Sequence, residues 1–144
     1  MNNNIFTTLL RYINVPFTEK YASEAYFFQP YRNTMYGLMQ LLNKYKINNE
    51  CIEFADKADV FQSTMPCIIV YDDKFYILKG FIGDKVIIIS RTGKETNIKC
   101  SDFLAAWNGI ALTLHPNRQS TEPNIKAHHK SEIIVKIPNR SAKL

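Results

Sequence analysis

The sequence changes its hydrophobic periodicity near its middle, and this change restricts the chain to folds with separate helical and strand regions. Up to residue 45, apolar residues recur every three or four positions, which is the spacing of one face of an α-helix. From residue 50 onward, short β-branched and aromatic runs alternate with turn residues. Helices followed by a run of strands favour an α+β fold, with N-terminal helices packed on an antiparallel sheet.

Three helices are predicted in the first half. The first has an apolar face over residues 5–13 and stops before Pro16. The second covers residues 19–29, with Thr18 as its N-cap. The third begins after Thr34 and carries an apolar stripe at Met35, Leu38, Met39 and Leu42. Stripes of this kind usually pack in a core, so we interpret these helices as structural.

The second half predicts an antiparallel meander with one late helix. Turn signals at residues 72–73, 83–84 and 92–93 separate the strands. Ser101 is expected to cap a short helix that runs to Trp107. The expected strands are residues 50–54, 67–71, 74–82, 85–90, 95–99 and 109–114.

Length and composition predict one folded, soluble domain. The chain has 144 residues, of which 46% are hydrophobic and 22% charged. Its longest apolar run, residues 67–71, is far shorter than the ~20 residues of a membrane helix. The polar residues 1–4 do not resemble a signal peptide.

The net charge of +5 is concentrated near the C-terminus. From His115 onward there are six lysines and arginines against two glutamates, a net charge of +4. We therefore divide the chain into a nearly neutral domain, residues 1–115, and a basic tail or connector, residues 116–144. Charge alone favours a solvated terminus, although cytoplasmic flanks of membrane helices are also basic.

The cysteines predict neither a disulfide framework nor a metal site. The chain has three cysteines, Cys51, Cys67 and Cys100, which is an odd number, and none of them form a C-x-x-C motif. The three histidines, at 115, 128 and 129, show no zinc-ligand spacing with these thiols. We expect no metal and no cofactor.

Candidate catalytic groups are scarce. A thiol hydrolase would need Cys67 or Cys100 beside His115, because residues 1–114 contain no histidine. The Asp72-Asp73 pair lies at a predicted turn, where aspartate is common for local reasons. No glycine-rich phosphate loop is present. The residues alone therefore show no active site.

Several segments nevertheless resemble the double-glycine-leader, papain-like cysteine peptidase domain of bacteriocin-exporting ABC transporters. Residues 34–38 (TMYGL) and 44–47 (KYKI) resemble its second helix, and residues 65–70 (MPCIIV) resemble its L-P-x-I strand. Residues 74–78 and 86–89 match its next two strands, and residues 103–109 (FLAAWNG) match its F-x-x-x-W-x-G motif. The resemblance implies a papain-like peptidase fold.

More narrowly, the chain is similar to degenerate versions of this domain fused to vitamin K epoxide reductase-like membrane proteins of Bacteroidetes-type bacteria. Residues 29–35 (QPYRNTM) resemble the segment that precedes the second helix there. Residues 122–124 (EPN) and the basic connector resemble the passage into the membrane part. This similarity implies a location at the cytoplasmic face of the bacterial inner membrane.

The resemblance also implies that catalysis is lost. The family's catalytic histidine, aspartate and cysteine correspond to Lys74, Ser90 and a position at or before Met1. Lysine ordinarily carries a proton at neutral pH and cannot act as a neutral imidazole does. Without a thiolate and a base, acyl transfer has neither nucleophile nor proton shuttle.

The expected function is that of a catalytically inactive accessory domain that binds a peptide segment or its own membrane domain. Tyr71, Phe75 and Tyr76 are the candidate peptide-binding residues. The alternative is a divergent thiol hydrolase. Nucleic-acid binding is not expected, because basic residues are not interleaved with aromatic ones on the neutral domain.

Overall fold

The chain folds as an α+β domain in the computed structural model, which describes residues 3–136. The helices are α1 (Ile5–Tyr12), α2 (Glu19–Phe28), α3 (Met35–Lys44), α4 (Cys100–Ala106) and α5 (Ile125–Lys136). The strands are β1 (Asn48–Glu53), β2 (Cys67–Tyr71), β3 (Lys74–Ile82), β4 (Lys85–Ile89), β5 (Glu95–Lys99) and β6 (Ile110–His115). A 3-10 helix, Lys57–Gln62, lies between β1 and β2.

The six strands form one antiparallel sheet in the order β1-β6-β2-β3-β4-β5. Strands β2 to β5 are the predicted meander. The last strand, β6, does not extend it: it inserts between β1 and β2, pairing Leu112 with Cys51 on one side and with Ile68 on the other. The predicted combination of N-terminal helices and an antiparallel sheet is confirmed.

Alternate residues of the sheet bury against two different layers. Ile68, Ile77 and Leu112 pack against the helical layer formed by α1 and α3, around Phe6, Leu9, Leu38 and Leu42. Cys67, Leu78 and Ala111 face the opposite layer, where Phe103 of α4 and Trp107, the residue directly after α4, stack at a centroid distance of 5.2 Å. The period of two along each strand therefore places one core on each face of the sheet.

Two predicted N-cap residues are confirmed and one is corrected. The Thr34 side chain accepts a hydrogen bond from the Gly37 amide and caps α3. Thr18 is the N-cap residue of α2, as predicted, but its side chain makes no hydrogen bond to the helix; its hydroxyl donates to Glu122. Helix α4 begins at Cys100, one residue before the Ser101 that was expected to cap it.

Gly37 allows α3 to pack tightly against the preceding turn. A Cβ atom at this position would lie 2.0 Å from the carbonyl oxygen of Tyr31. No other residue type fits there without moving the backbone.

The chain beyond β6 returns to the helical layer. Ser120 donates a hydrogen bond of 2.7 Å to the carbonyl oxygen of Lys46, and the Glu122 amide donates one of 3.0 Å to that of Pro16. The side chain of Glu122 is only 1% exposed. Its carboxylate accepts hydrogen bonds from the Thr18 amide and hydroxyl and from the Tyr45 hydroxyl.

Helix α5 contacts the same carboxylate, that of Glu122. Nδ1 of His128 lies 2.6 Å from Oε2 of Glu122, and its ring stacks on Tyr21 at a centroid distance of 3.7 Å. The charge-based expectation of a solvated terminus is therefore not met at Ser120, Glu122 and His128, which make buried or partly buried polar contacts with the domain. The division at residue 115 and the connector role stay predictions, and residues 137–144 lie outside the described part.

Candidate functional site

A cleft of about 510 Å³ opens at the end of the sheet where the β2–β3 and β4–β5 turns meet the start of α1. Its walls come from four segments: the first turn of α1, the α2–α3 region, the β2–β3 hairpin and the β4–β5 turn. The lining residues are Ile5, Tyr26, Asn33, Val70, Asp73, Lys74, Phe75, Tyr76, Ser90, Arg91 and Thr92.

The cleft brings together two of the three positions that the sequence singled out. Lys74, the first residue of β3, and Ser90, directly after β4, both line it, beside Ile5 at the start of α1. The third position, Met1, lies outside the described residues. Residues that are 16 positions apart in the chain thus share one site with the N-terminal helix.

The Ser90 hydroxyl has a structural role in the β4–β5 turn. Its oxygen lies 2.8 Å from Oγ1 of Thr92 and accepts hydrogen bonds from the amides of Thr92 and Lys94, both at 3.3 Å. The Ser90 side chain, which the family resemblance aligns with a catalytic aspartate, therefore helps to hold the turn, and an uncharged hydroxyl cannot stabilise a protonated base as a carboxylate does.

The same turn is tied to helix α1. The hydroxyl of Thr8 donates a hydrogen bond to the carbonyl oxygen of Arg91. Burial raises the pKa of Tyr26, while the charges of Arg32 and Arg91 act in the opposite direction. The Arg91 guanidinium therefore acts electrostatically on the α2 wall, across the cleft from the turn that carries it.

The three candidate peptide-binding residues occupy different surroundings. Phe75 and Tyr76 line the cleft and are partly buried. Tyr71 packs instead on the α4 side of the sheet, stacked on Phe103 at a centroid distance of 5.8 Å. Phe75 packs on the helical side of the sheet, whereas the ring of Tyr76 also contacts that of Tyr71 on the α4 side, at a centroid distance of 6.3 Å.

The structure does not support a catalytic pair of Cys67 and His115. Cys67 is fully buried, and burial raises the pKa of its thiol to about 12, which opposes formation of the reactive thiolate. Cys67 pairs with Thr113 in the sheet, whereas His115 is exposed at the far end of β6, opposite Asn48. Within residues 3–136, no hydrogen bond joins the thiol to the imidazole.

Cys100 is too far from His115 to form the other proposed pair. It follows β5 at one edge of the sheet, and β6 lies four strands away. At about 4.8 Å per strand the separation is roughly 19 Å. The Asp72-Asp73 pair forms the β2–β3 turn, with φ of 53° and 59°, as its turn-forming composition predicted.

Neither a metal centre nor a membrane span is found in the described part of the chain. No group of three or more histidine, cysteine, aspartate or glutamate side chains within residues 3–136 could hold a metal ion. The helices in that range are too short or too polar to cross a bilayer.

Sequence reasoning missed Tyr26, Asn33 and Arg91, which also line the cleft. Tyr26 belongs to a predicted core helix, and Arg91 directly follows Ser90 in a turn. The one feature of the sequence that could have indicated a role for Arg91 in the cleft is its position next to Ser90. Nothing in the local pattern indicates that α2 reaches the β4–β5 turn.

The fold has counterparts among known proteins. The peptidase domain of Streptococcus ComA, a bi-functional ABC transporter involved in a quorum sensing pathway, superposes with a TM-score of 0.65 at 19% identity. That match covers 81% of this chain and 90% of that one. The double glycine motif protease from an AMS/PCAT transporter, solved in complex with the leader peptide, gives a TM-score of 0.67 at 19% identity and covers 78% and 81%.

A third similar structure is the N-terminal peptidase C39 like domain of the toxin secretion ATP-binding protein from Vibrio parahaemolyticus. Its TM-score is 0.63 at 14% identity, with coverage of 81% and 96%. No curated protein sequence matches the chain. The sequence profile of the Peptidase C39 family matches residues 6–119, which span the chain from the second residue of α1 to beyond β6 and include every cleft-lining residue except Ile5. The chain therefore belongs to the Peptidase C39 family.

Proposed function

We propose that this chain is a peptidase C39-type domain that has lost peptidase activity and uses its cleft to bind a peptide segment or a partner domain. One observation carries the proposal. The cleft brings together Lys74, Ser90 and the start of α1, and its described lining contains neither a thiol nor an imidazole.

The lining lacks the groups that acyl transfer requires. A cysteine peptidase needs a thiolate nucleophile and a neutral imidazole that moves the proton. A lysine ammonium has no lone pair to accept that proton, and the Ser90 hydroxyl is engaged by its own turn. The cysteines of the chain lie elsewhere: Cys51 on β1, Cys67 under α4 and Cys100 beyond β5.

The cleft retains properties that suit peptide binding. Its volume falls within the range of about 300–1,000 Å³ typical of ligand pockets. Tyr26, Phe75 and Tyr76 supply aromatic surface, and Asn33 and Thr92 supply hydrogen-bonding groups. The AMS/PCAT relative binds a leader peptide, so a peptide is the ligand class that its fold is known to accept.

We further propose that the domain belongs to a larger bacterial membrane protein and lies at the cytoplasmic face of the inner membrane. The similar domains come from ABC transporters, and the narrower candidate is a vitamin K epoxide reductase-like protein. The basic segment after β6 would be the connector. Glu122, buried against the helical layer, would anchor that connector to the domain.

Catalytic inactivity is tested with a pool of fluorogenic peptides that carry a Gly-Gly site. We expect no cleavage by the 144-residue chain above the buffer blank, with an active double-glycine peptidase domain as the positive control. Turnover that disappears in Cys67→Ala or Cys100→Ala would overturn the claim of inactivity.

Peptide binding is tested with a synthetic pool of N-acetylated random hexapeptides passed over the immobilised protein, with bound peptides identified by mass spectrometry. Asn33→Trp should block the cleft and abolish retention. Asn97→Trp, an equal change at an exposed position on β5, should leave it unchanged. The peptide-binding function is refuted if no peptide is retained, or if Asn33→Trp retains the same peptides.

A further inference from the structure

The cleft carries more positive than negative charge. Lys74 and Arg91 line it, against the single carboxylate of Asp73. The ion pairs found among residues 3–136 are those of Arg11, Lys79 and His128, so neither cleft cation is paired with a carboxylate there. Two cationic residues thus line the cleft, and neither side chain has a carboxylate partner in the described part of the chain.

The two cations stand on two different turns. Lys74 follows the tight Asp72-Asp73 turn, with its backbone paired to Tyr71. Arg91 stands on the β4–β5 turn, which is braced by the Ser90 hydroxyl and tied to Thr8 of α1. Both turns are fixed by hydrogen bonds. A site for an anion between them would therefore be largely preorganised before the anion binds.

Apolar and aromatic walls surround this charged end. Ile5, Val70 and Phe75 contribute apolar surface, and Tyr26 and Tyr76 contribute aromatic rings. A ligand that fits the whole cleft therefore combines an anionic end with apolar groups. A peptide with a free C-terminus has this arrangement, because its terminal carboxylate is negatively charged and the side chains of its last residues can be apolar.

We propose that the cleft captures the free C-terminal carboxylate of a peptide between Lys74 and Arg91. The proposal rests on the peptide-binding function above and specifies which part of the peptide is recognised. The guanidinium of Arg91 can hold both carboxylate oxygens with two parallel hydrogen bonds, and the ammonium of Lys74 adds a second charge. The domain would then bind peptides that end in the cleft, not chains that pass through it.

The test compares two pools of N-acetylated random hexapeptides that differ only at the C-terminus, one as free acids and one as amides. Both are passed over the immobilised 144-residue protein, and retained peptides are identified and then measured by calorimetry. We expect retention from the acid pool only, with amidation of a retained peptide lowering its affinity by about tenfold or more.

Substitutions identify the groups responsible. Lys74→Met and Arg91→Met should each lower the affinity of a retained peptide by about tenfold, whereas Lys74→Arg should keep most of it. Arg91→Lys keeps the charge but loses the two parallel hydrogen bonds, so its affinity should fall between those of the wild type and Arg91→Met. Lys94→Met is the matched control, because Lys94 is exposed on the same turn but does not line the cleft. Circular dichroism of each variant shows whether it is folded.

Each outcome has a separate meaning. Equal retention of the amide pool, or retention only of peptides with internal aspartate or glutamate, overturns the C-terminal capture and leaves the peptide-binding function standing. Retention from neither pool refutes both. If inorganic phosphate at millimolar concentration binds as tightly as the retained peptide, the site is a general anion site and the capture of peptide ends is wrong.

Discussion

The hydroxyl of Tyr45, at the end of α3, donates a hydrogen bond of 3.2 Å to Oε1 of Glu122, which lies 77 residues further along the chain. Both side chains are buried, with exposures of 3% and 1%. The same carboxylate accepts from Thr18 and lies beside the imidazole of His128. The buried charge is thus surrounded by donors from the segment before α2, from α3 and from α5.

Glu122→Gln should destabilise the protein strongly. The amide group would face hydrogen-bond donors that now meet a carboxylate, and a buried donor without an acceptor is costly. We expect the free energy of unfolding to fall by about 3 kcal/mol, measured by urea denaturation at pH 7. Glu53→Gln, at an exposed position on β1, is the control and should change it by less than about 0.5 kcal/mol. Equal effects of the two changes would contradict the proposed importance of this contact.

Tyr45 should contribute to the pH dependence of stability. Burial, together with the charge and hydrogen bond of Glu122, raises the pKa of Tyr45 far above its usual value. The phenol therefore stays protonated in the folded state at a pH where it ionises in the unfolded chain. Its contribution is complete below pH ~10 and is lost as the pH rises further.

Tyr45→Phe should accordingly lower the free energy of unfolding by about 1–2 kcal/mol at pH 8. The gap to the wild type should narrow between pH 10 and pH 11.5, because only the wild type loses this contribution there. Urea denaturation of both proteins at pH 10 and at pH 11.5 measures this gap in the free energy of unfolding. Tyr36→Phe, at a side chain that is 57% exposed, should follow the wild type throughout; a constant gap for Tyr45→Phe would refute the argument.

The three thiols should react with iodoacetamide at very different rates at pH 8. Cys67 is fully buried with its pKa raised to about 12, so it should remain unlabelled over hours in the folded protein. Cys51 is exposed and should be labelled first. Peptide mapping by mass spectrometry with and without urea distinguishes the sites. Rapid labelling of Cys67 without urea would show that the α4 layer opens readily.

Gly37→Ala should destabilise the domain because the new methyl group would lie 2.0 Å from the Tyr31 carbonyl oxygen. We expect a loss of about 1–3 kcal/mol in the free energy of unfolding, as for other overpacked sites. Gly80→Ala adds the same methyl group where no atom lies within 4 Å, and it should change stability by less than about 1 kcal/mol. Thermal denaturation of both variants, followed by circular dichroism, provides the comparison.

Local sequence pattern was sufficient for most of the elements but not for their arrangement. The alternation of β-branched residues located five strands nearly to their ends, since it records which side of a strand is buried. It carries no information on which strands pair, so the insertion of β6 between β1 and β2 could not be derived. The N-cap position of Thr18 was predicted correctly, but its hydrogen bond to Glu122 was not, because the local sequence does not identify partners that are distant in the chain.

The candidate site, like the fold, was predicted only in part. Lys74 and Ser90 were found through a family resemblance, and the cleft shows that they do share a site. Arg91 was missed although it is adjacent to Ser90, because the sequence does not reveal that the β4–β5 turn faces α2. Tyr71 is not among the residues that line the cleft, because it stacks on Phe103 on the other side of the sheet, and its role in peptide binding stays a prediction.

The position of β6 has a consequence for the order in which the chain can fold. Strand β1 has β6 as its only described partner in the sheet, and 56 residues separate the end of β1 from the start of β6. The hairpins from β2 to β5 can form from local contacts, whereas β1 must wait until β6 arrives. During synthesis from the N-terminus, β1 would therefore remain unpaired until residues 110–115 have been made. Loop closure across this interval, not hairpin formation, should set the folding rate of the domain.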